Sequence, residues 1–517
     1  MANTASHLIE PLRRVVPVSK KDPATYRFRW VVLPILPSAC LVKGEVMDFR
    51  VLIVGSAAAG LLTCNVAFAE DSTAPTPYDP NDIVLPQAPL FAAPAPGPRN
   101  GGVGIVQSYD GIDFLGSNCG CLPPDTNAAV GNSYVVETVN VQIRVFDKTT
   151  GIELLDTPLA TFFGAPSGGD VYVVYDDTVD RWYVSAFDSN DTGFFLAVSS
   201  DGNPTHPFTV YHLTNVGGSP DYHKPGFNLD AIFIAYNNFG PGGGAAVNIT
   251  SIDKAAALSG TLKYFVSVPK FQFRGMPPAQ IHDDNKGGVE WFVSTDGTDA
   301  DGSTVRVTKM TNYLSNSPAF TYTSLPVNPY KNAIHADQPG GGTITTFPNT
   351  TTYQVHSRNG RLITAMASAT AADGFNYPKG LIYEINANAT PPVLLTQAVI
   401  DPGFGVAVQM PSADEDKQGN LGLTWMESSK TEHLSMWVGA LYNNGTLASQ
   451  TAANGGGFFF FDSRIGDYST VVLDADATTF WAANEYIGNN GAADIWQTHI
   501  TSFTAKSPVQ TAAPLIQ

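Results

Sequence analysis

Basic residues are scarce in this sequence. Its 28 Lys and Arg stand against 46 Asp and Glu, a formal net charge of -18. An acidic balance of this size excludes nucleic acid as the partner, because phosphates require a Lys/Arg footprint. It leaves neutral glycans, cationic ligands and metal ions as ligand classes. Charged residues make up only 14% of the chain, low for a cytosolic protein. Cysteine is nearly absent: of four, Cys40 and Cys64 precede an expected cleavage point, leaving Cys119 and Cys121. Beyond residues 51–62 no apolar run reaches bilayer length, so the processed chain is expected to be soluble. Helical periodicity is confined to one short candidate, residues 255–258. The sequence also carries no Ser nucleophile elbow, no phosphate-cradling Gly loop and no His-Glu-x-x-His.

What remains is turn and strand. The 48 Gly and 37 Pro fit a chain that reverses often. The stretch 464–503 (RIGDYSTVVLDADATTFWAANEYIGNNGAADIWQTHITSF) shows three β-like runs, 468–474, 479–486 and 494–503, parted by Asp, Gly and Asn turns. Earlier segments repeat this grammar. Second strands with bulky centres recur as YVVETVN (134–140), RWYVSAFD (181–188), AIFIAYNN (231–238), EWFVSTD (290–296), RLITAMAS (361–368), LGLTWMES (421–428) and FWAANEY (480–486). The turns before several are polar: YDDTVDRW, HDDNKGGVEW, HSRNGRL and DEDKQGNLGL. We expect an all-β fold, a β-propeller of seven four-stranded blades of roughly 50 residues each. The last unit supplies only three strands, and residues 101–111 are expected to complete it and close the ring, removing free sheet edges.

The N-terminal region has different chemistry. Met47 begins MDFRVLIVGSAAAGLLTCNVAFAED, with Arg50, an apolar run and Ala67-Phe68-Ala69 before the cut, so 47–69 reads as a signal peptide. Residues 1–46 carry a net +4 and have no place in such a signal; we read them as an extension upstream of the true start at Met47. Residues 70–100 form a Pro/Ala-rich linker, 101–505 the propeller and 506–517 a C-terminal tail. The expected location is secreted or periplasmic, as a monomer with no membrane span.

Five segments carry a resemblance: CGCLPPDTNAAVGNSYVVETVN (119–140), YDDTVDRWYVSAF (175–187), KPGFNLDAIFIAYNNF (224–239), PSADEDKQGNLGLTW (411–425) and SRIGDYSTVVLDADATTFWAANEY (463–486). They resemble a family of secreted, strand-rich bacterial propeller proteins. The resemblance implies a propeller and export, and no catalytic residues. In architecture the chain also looks like sialidase-type propellers, but SSDGNPT (199–205) and TDADGST (298–304) miss the register or the aromatic of an Asp-box.

Antiparallel strands place the start of each innermost strand and the end of each second strand on one face. Innermost-strand starts supply Asp125, Asn127, Asp170, His223, Lys224, Gln280, Gln409, Ser412, Arg464 and Asp467; second-strand ends supply Glu137, Asp188, Asn237, Glu427 and Glu485. Converging carboxylates suit acid/base work or a cation, while Asp and Asn at strand ends also simply cap turns. Two functions follow. One is a glycan hydrolase or lyase with Asp467, Glu427 and Glu485 as acids and Arg464 orienting substrate. The other is a non-catalytic propeller that binds a polysaccharide, a protein or a cation. Asp296, Asp299 and Asp301 resemble part of a calcium loop, making Ca2+ the candidate cofactor. His282, Asp283 and Asp284 read first as a hairpin turn. Cys119 and Cys121 are placed to form a Cys-Gly-Cys disulfide in an oxidising compartment. Trp182, Trp291, Trp425 and Trp481 recur at matching strand positions and read as core.

Overall fold

The computed structural model describes Ile83–Val84 and residues 103–505, apart from 215, 240–244, 271–274, 283–286, 296–300, 334, 347–352, 460–464 and 490–493. The chain divides into two compact units, Met1–Glu70 and Asp71–Gln517. The first lies outside the described residues, as do the leader 47–69, nearly all of the linker and the tail 506–517.

The described part of the second unit is almost wholly β. Its α-helices, Phe114–Ser117, Leu159–Phe163 and Lys254–Leu258, span at most five residues. The last contains the short helical candidate and starts where Asp253 accepts a bond from the Ala256 N–H. All seven segments with bulky centres form strands, from Tyr134–Val139 to Thr479–Asn489.

Consecutive strands form antiparallel meanders. One four-stranded sheet comprises Asn127–Val130, Tyr134–Val139, Gln142–Asp147 and Glu153–Pro158. A second runs from Ser167–Asp176 through Arg181–Asp188 and Phe194–Ser199 to Phe208–Leu213. A third runs from Ala407–Glu415 through Leu421–Ser429 and Glu432–Leu441 to Leu447–Ala453. In a fourth, Val103–Asp113 pairs antiparallel with Asp494–Ala505, which continues to Thr479–Asn489 and Thr470–Leu473. The strands from Ser219–Phe227 to Val393–Ile400, apart from the separate hairpin His335–Asp337/Thr343–Thr345, join Ile83–Val84 in a thirteen-stranded assembly. There Ser219–Phe227, Ala279–Ile281 and Val355–Arg358 pair in parallel at the axis.

Burial explains the sequence pattern. Second strands such as Leu421–Ser429 are buried at every position, because a neighbouring sheet covers each face. Outermost strands such as Glu153–Pro158 alternate between exposed and half-buried positions. The apolar clusters lie between sheets. Val136, Ile143 and Val145 pack on Val173, Trp182 and Val184; Met436 and Val438 pack on Val471, Phe480 and Phe503. Ala128, Val130 and Phe146, from the first sheet, pack on Trp481, Ala483 and Ile500 from the last. Sheets stacked face to face around a common axis make a β-propeller. Trp182, Trp425 and Trp481 are buried in these layers.

Because Val103–Asp113 covers the edge of Asp494–Ala505, a chain lacking residues 101–112 is expected to aggregate or lose its cooperative melt. A chain lacking 70–98 loses, among the described residues, only the two-residue pairing of Ile83–Val84 with Thr323 and Ser324 and is expected to melt close to the full chain. Calorimetry and gel filtration of the two deletions check this, and equal stability would contradict it.

Candidate functional site

Most of the residues expected at one channel mouth are buried. Asp125, Asn127, Asp170, His223, Lys224, Gln409, Asp467, Glu427 and Glu485 are each 8% exposed or less. Five of the innermost strands carry a sharp backbone reversal in or just before them. Asp125, Asp170, Tyr222, Met410 and Gly466 all have positive φ, between 44° and 80°, and three of these strands shift register at that point. Asp tolerates this region, whereas a Tyr or Met there is held by its surroundings. Gly466 is required for a second reason: a Cβ on it would lie 2.9 Å from Glu485 Oε2 and from Met426 Cε.

An apolar plug covers this end. Ile112, Phe114, Cys121 and Leu122 pack with Ala336 and Ile344 of the small hairpin His335–Asp337/Thr343–Thr345, and with Met410, Ile465 and Trp496. Cys119 and Cys121 are bonded to each other, with Cα atoms 5.1 Å apart. Trp496 Nε1 donates to the Cys121 carbonyl at 2.8 Å.

Beneath the plug, Lys224 is caged by tyrosines. Its Nζ lies 3.1 Å from the Tyr222 ring centre, 4.0 Å from that of Tyr468 and 5.5 Å from that of Tyr172. Burial drives the lysine well below its ordinary range, opposed by the charges of Asp170, Asp467 and Asp125. Tyr468 donates to Asp170 at 3.1 Å. Glu485 is pushed up to about 8 by burial and by the charges of Asp467 and Glu137, against the bond from Thr126. Burial also raises Glu137 to about 7, although the Ile112 N–H donates to it at 2.8 Å. The structure therefore brings together Asp125, Asp170, Lys224, Asp467 and Glu485, with Glu137 beside them.

Other expected residues have separate surroundings. Glu427 accepts a bond from Trp425 Nε1 at 2.7 Å. His223 Nε2 is 2.9 Å from Ser185 Oγ, with Phe187 and Phe194 against its ring. Asn127 bonds Thr470 and the Val173 N–H, and both Gln409 amide atoms are buried without a partner. Arg464, Asp296, Asp299, Asp283 and Asp284 lie outside the described residues. Asp301 is 61% exposed and accepts from the Asn332 N–H. Among the described residues no group of three His, Cys, Asp or Glu is placed to hold a metal ion.

The open site is at the opposite mouth, where a cavity of about 530 Å³ is lined by the ends of innermost strands and the polar turns that follow them. Gln280 lines this cavity and not the plugged end, because its strand, Ala279–Ile281, is only three residues long. Arg358 grips Asp414 with two bonds, at 2.8 and 2.7 Å. Burial opposes ionisation of Asp414, yet Arg358 and His356 more than offset it and hold the carboxyl well below the usual range. His282 Nδ1 is 3.0 Å from Asp177 Oδ1, and its Nε2 is 3.5 Å from His356 Nδ1. Burial pushes His356 down to about 4. Arg361 Nη1 donates to both Glu384 and Glu415 at 2.6 Å. Burial, with the Glu384 and Asp414 charges, raises Glu415 to about 7 against the pull of Arg361. The turns 175–182, 356–362 and 414–423 announced this mouth by their polarity, but their residues read as turn formers.

No family model and no curated relative matches the sequence. Solved structures resemble it distantly. A protein of unknown function from Dyadobacter fermentans is 10% identical with a TM-score of 0.37, covering 78% of this chain and 100% of its own. Drosophila Semaphorin 2a is 10% identical, TM-score 0.37, over 80% and 76%. A thermostable family-43 glycoside hydrolase is 13% identical, TM-score 0.30, over 56% and 94%. Likeness at this level says nothing about chemistry.

The sealed carboxylates generate a pH prediction. A folded-state carboxyl raised above its unfolded value opposes folding once it must ionise. The penalty from Glu485 therefore starts near pH 4.5 and is complete above about 8. Glu485→Gln is expected to match the parent melting temperature near pH 5 and to exceed it by a few degrees at pH 9. A constant offset across this range, measured by calorimetry, would contradict the assignment.

Proposed function

We propose that this chain is an exported, monomeric β-propeller that binds a hydroxyl-rich ligand, an extracellular glycan, in the cavity at the open mouth. The single observation behind this is the arrangement of paired charges lining that cavity, above all Arg361 between Glu384 and Glu415. A neutral sugar meets donors and acceptors of the lining already oriented by ion pairs, such as Arg361 with Glu384 and Glu415. Seven blades, ring closure by residues 101–111, membership of the secreted bacterial family and export through 47–69 belong to the same proposal. Recognition of a protein partner and calcium at Asp296, Asp299 and Asp301 are the competing binding modes.

Glycan cleavage is the second reading, and one observation favours it. Glu384 and Glu415 share one Arg361 nitrogen at 2.6 Å each, so they stand within roughly 5 Å, a separation that suits retaining glycosidases. Glu415, at about 7, is the proton donor of this reading. The alternative acids, Asp467, Glu427 and Glu485, require the plug to open first.

The test is a thermal-shift screen against a glycan panel and divalent ions, with and without EDTA. Binding to the native state alone must raise the melting temperature. We expect a glycan-dependent rise that Arg361→Ala and Glu415→Gln abolish and Glu485→Gln retains. A rise from calcium alone, or a glycan rise lost only in the Glu485 variant, would refute the assignment to this cavity.

A further inference from the structure

Away from both mouths, a serine, a histidine and an aspartate are linked on the sheet shared by the two ends of the described chain. Ser108 and Asp110 are two residues apart on Val103–Asp113, so their side chains leave the same face. Directly across lie Thr501, opposite Ser108, and His499, opposite Asp110. Ser108 Oγ is 2.6 Å from His499 Nε2, and His499 Nδ1 is 3.0 Å from Asp110 Oδ1. Two further hydroxyls lie beside these bonds. Thr501 Oγ1 is 3.0 Å from Ser108 Oγ and 3.3 Å from the Gln107 carbonyl, and the Tyr486 hydroxyl donates to Gln497 Oε1 at 2.5 Å with Asp110 Oδ1 at 3.3 Å. Asp110, ionised and acceptor-only, takes the Nδ1 proton, which leaves Nε2 as the acceptor for the Ser108 hydroxyl. The Tyr486 ring stands edge-on to the imidazole, with centroids 6.2 Å apart. His499 is only 8% exposed while Ser108 and Asp110 are exposed, so the base is enclosed and the nucleophile is accessible.

We infer that Ser108, His499 and Asp110 form a serine-hydrolase triad acting on short-chain carboxylic esters. The relationship of nucleophile, base and orienting carboxylate defines such a site whatever the chain order, and no nucleophile elbow is required. Ser108 Oγ adds to the ester carbonyl carbon as its proton passes to His499 Nε2. The imidazolium gives that proton to the departing alkoxide as the ester C–O bond breaks, leaving an acyl-serine. Water then adds to the acyl carbon with its proton going to His499, and collapse releases the carboxylic acid and restores Ser108. The Thr501 hydroxyl, fully buried, supports Ser108 Oγ from within the sheet. The oxyanion would then face solvent and not a preorganised pair of N–H groups, which implies modest turnover. Ser108 lies on an open strand face, which suits a small acyl group over a long chain.

The experiment treats the full chain with a fluorophosphonate probe, maps the modified peptide by mass spectrometry, and follows hydrolysis of p-nitrophenyl acetate. The expected result is modification of Ser108, and hydrolysis that falls to the buffer rate in Ser108→Ala with an unchanged melting curve. His499→Gln should lose about a hundredfold or more. Asp110→Asn should lower kcat at constant KM and change the pH profile, with partial recovery in Asp110→Glu, which a merely structural Asp would not show. Absence of the probe from Ser108 in the parent protein, or turnover that persists in Ser108→Ala, would overturn the inference.

Discussion

The pairing of Val103–Asp113 with Asp494–Ala505 ties the described chain together. It joins residues about 400 positions apart in one antiparallel ladder, from Val103 opposite Ala505 to Asp113 opposite Gln497, and its side chains reach in both directions. Tyr109 packs on Phe146 of the first sheet, while Ile112 turns inward to cap Glu137 and join the plug. An unpaired Asp494–Ala505 would expose a twelve-residue edge, the feature that sheet proteins most consistently avoid. The Ser108–His499–Asp110 linkage exists only because this pairing sets the register.

The two mouths treat charge in opposite ways. At the plugged end, carboxylates and a lysine are taken out of water, where each ionised group costs several kcal/mol unless it is compensated. Compensation there is diffuse: tyrosine faces around Lys224 contribute roughly 0.5–2 kcal/mol each, and protonation relieves Glu485 and Glu137. At the open end, compensation is by direct contact, Arg358 with Asp414 and Arg361 with Glu384 and Glu415. The first arrangement suits a rigid hub, and the second suits a surface that must stay ordered while exchanging water for a ligand.

Much of this was legible in the sequence. The bulky second strands read as continuous apolar runs because sheets cover both their faces, and several polar turns marked where an innermost strand reverses into the second. The antiparallel rule groups Asp125, Asp170, Lys224, Asp467 and Glu485, which lie near one another, together with Gln280, which lines the opposite cavity. It gives no information about what lies over the plugged end. The plug is built from the strand end, short helix and loop over 112–122 and from the hairpin His335–Asp337/Thr343–Thr345, whose docking depends on tertiary contacts and not on local pattern. The cavity residues were hidden for a different reason: Asp177, Arg358 and Glu415 sit in or beside turns where polar residues are ordinary. The Ser108–His499 contact depends on strand register across the whole chain, which spacing alone does not supply.

The central claim is that ligand enters at the open mouth and not beneath the plug. Hydrogen exchange read by mass spectrometry, with and without saturating glycan, tests it most directly. The account predicts added protection in 358–361, 415–419 and 473–477, with no change in 465–470 or 112–122. Protection confined to 465–470, with faster exchange in 112–122 as the plug lifts, would contradict it.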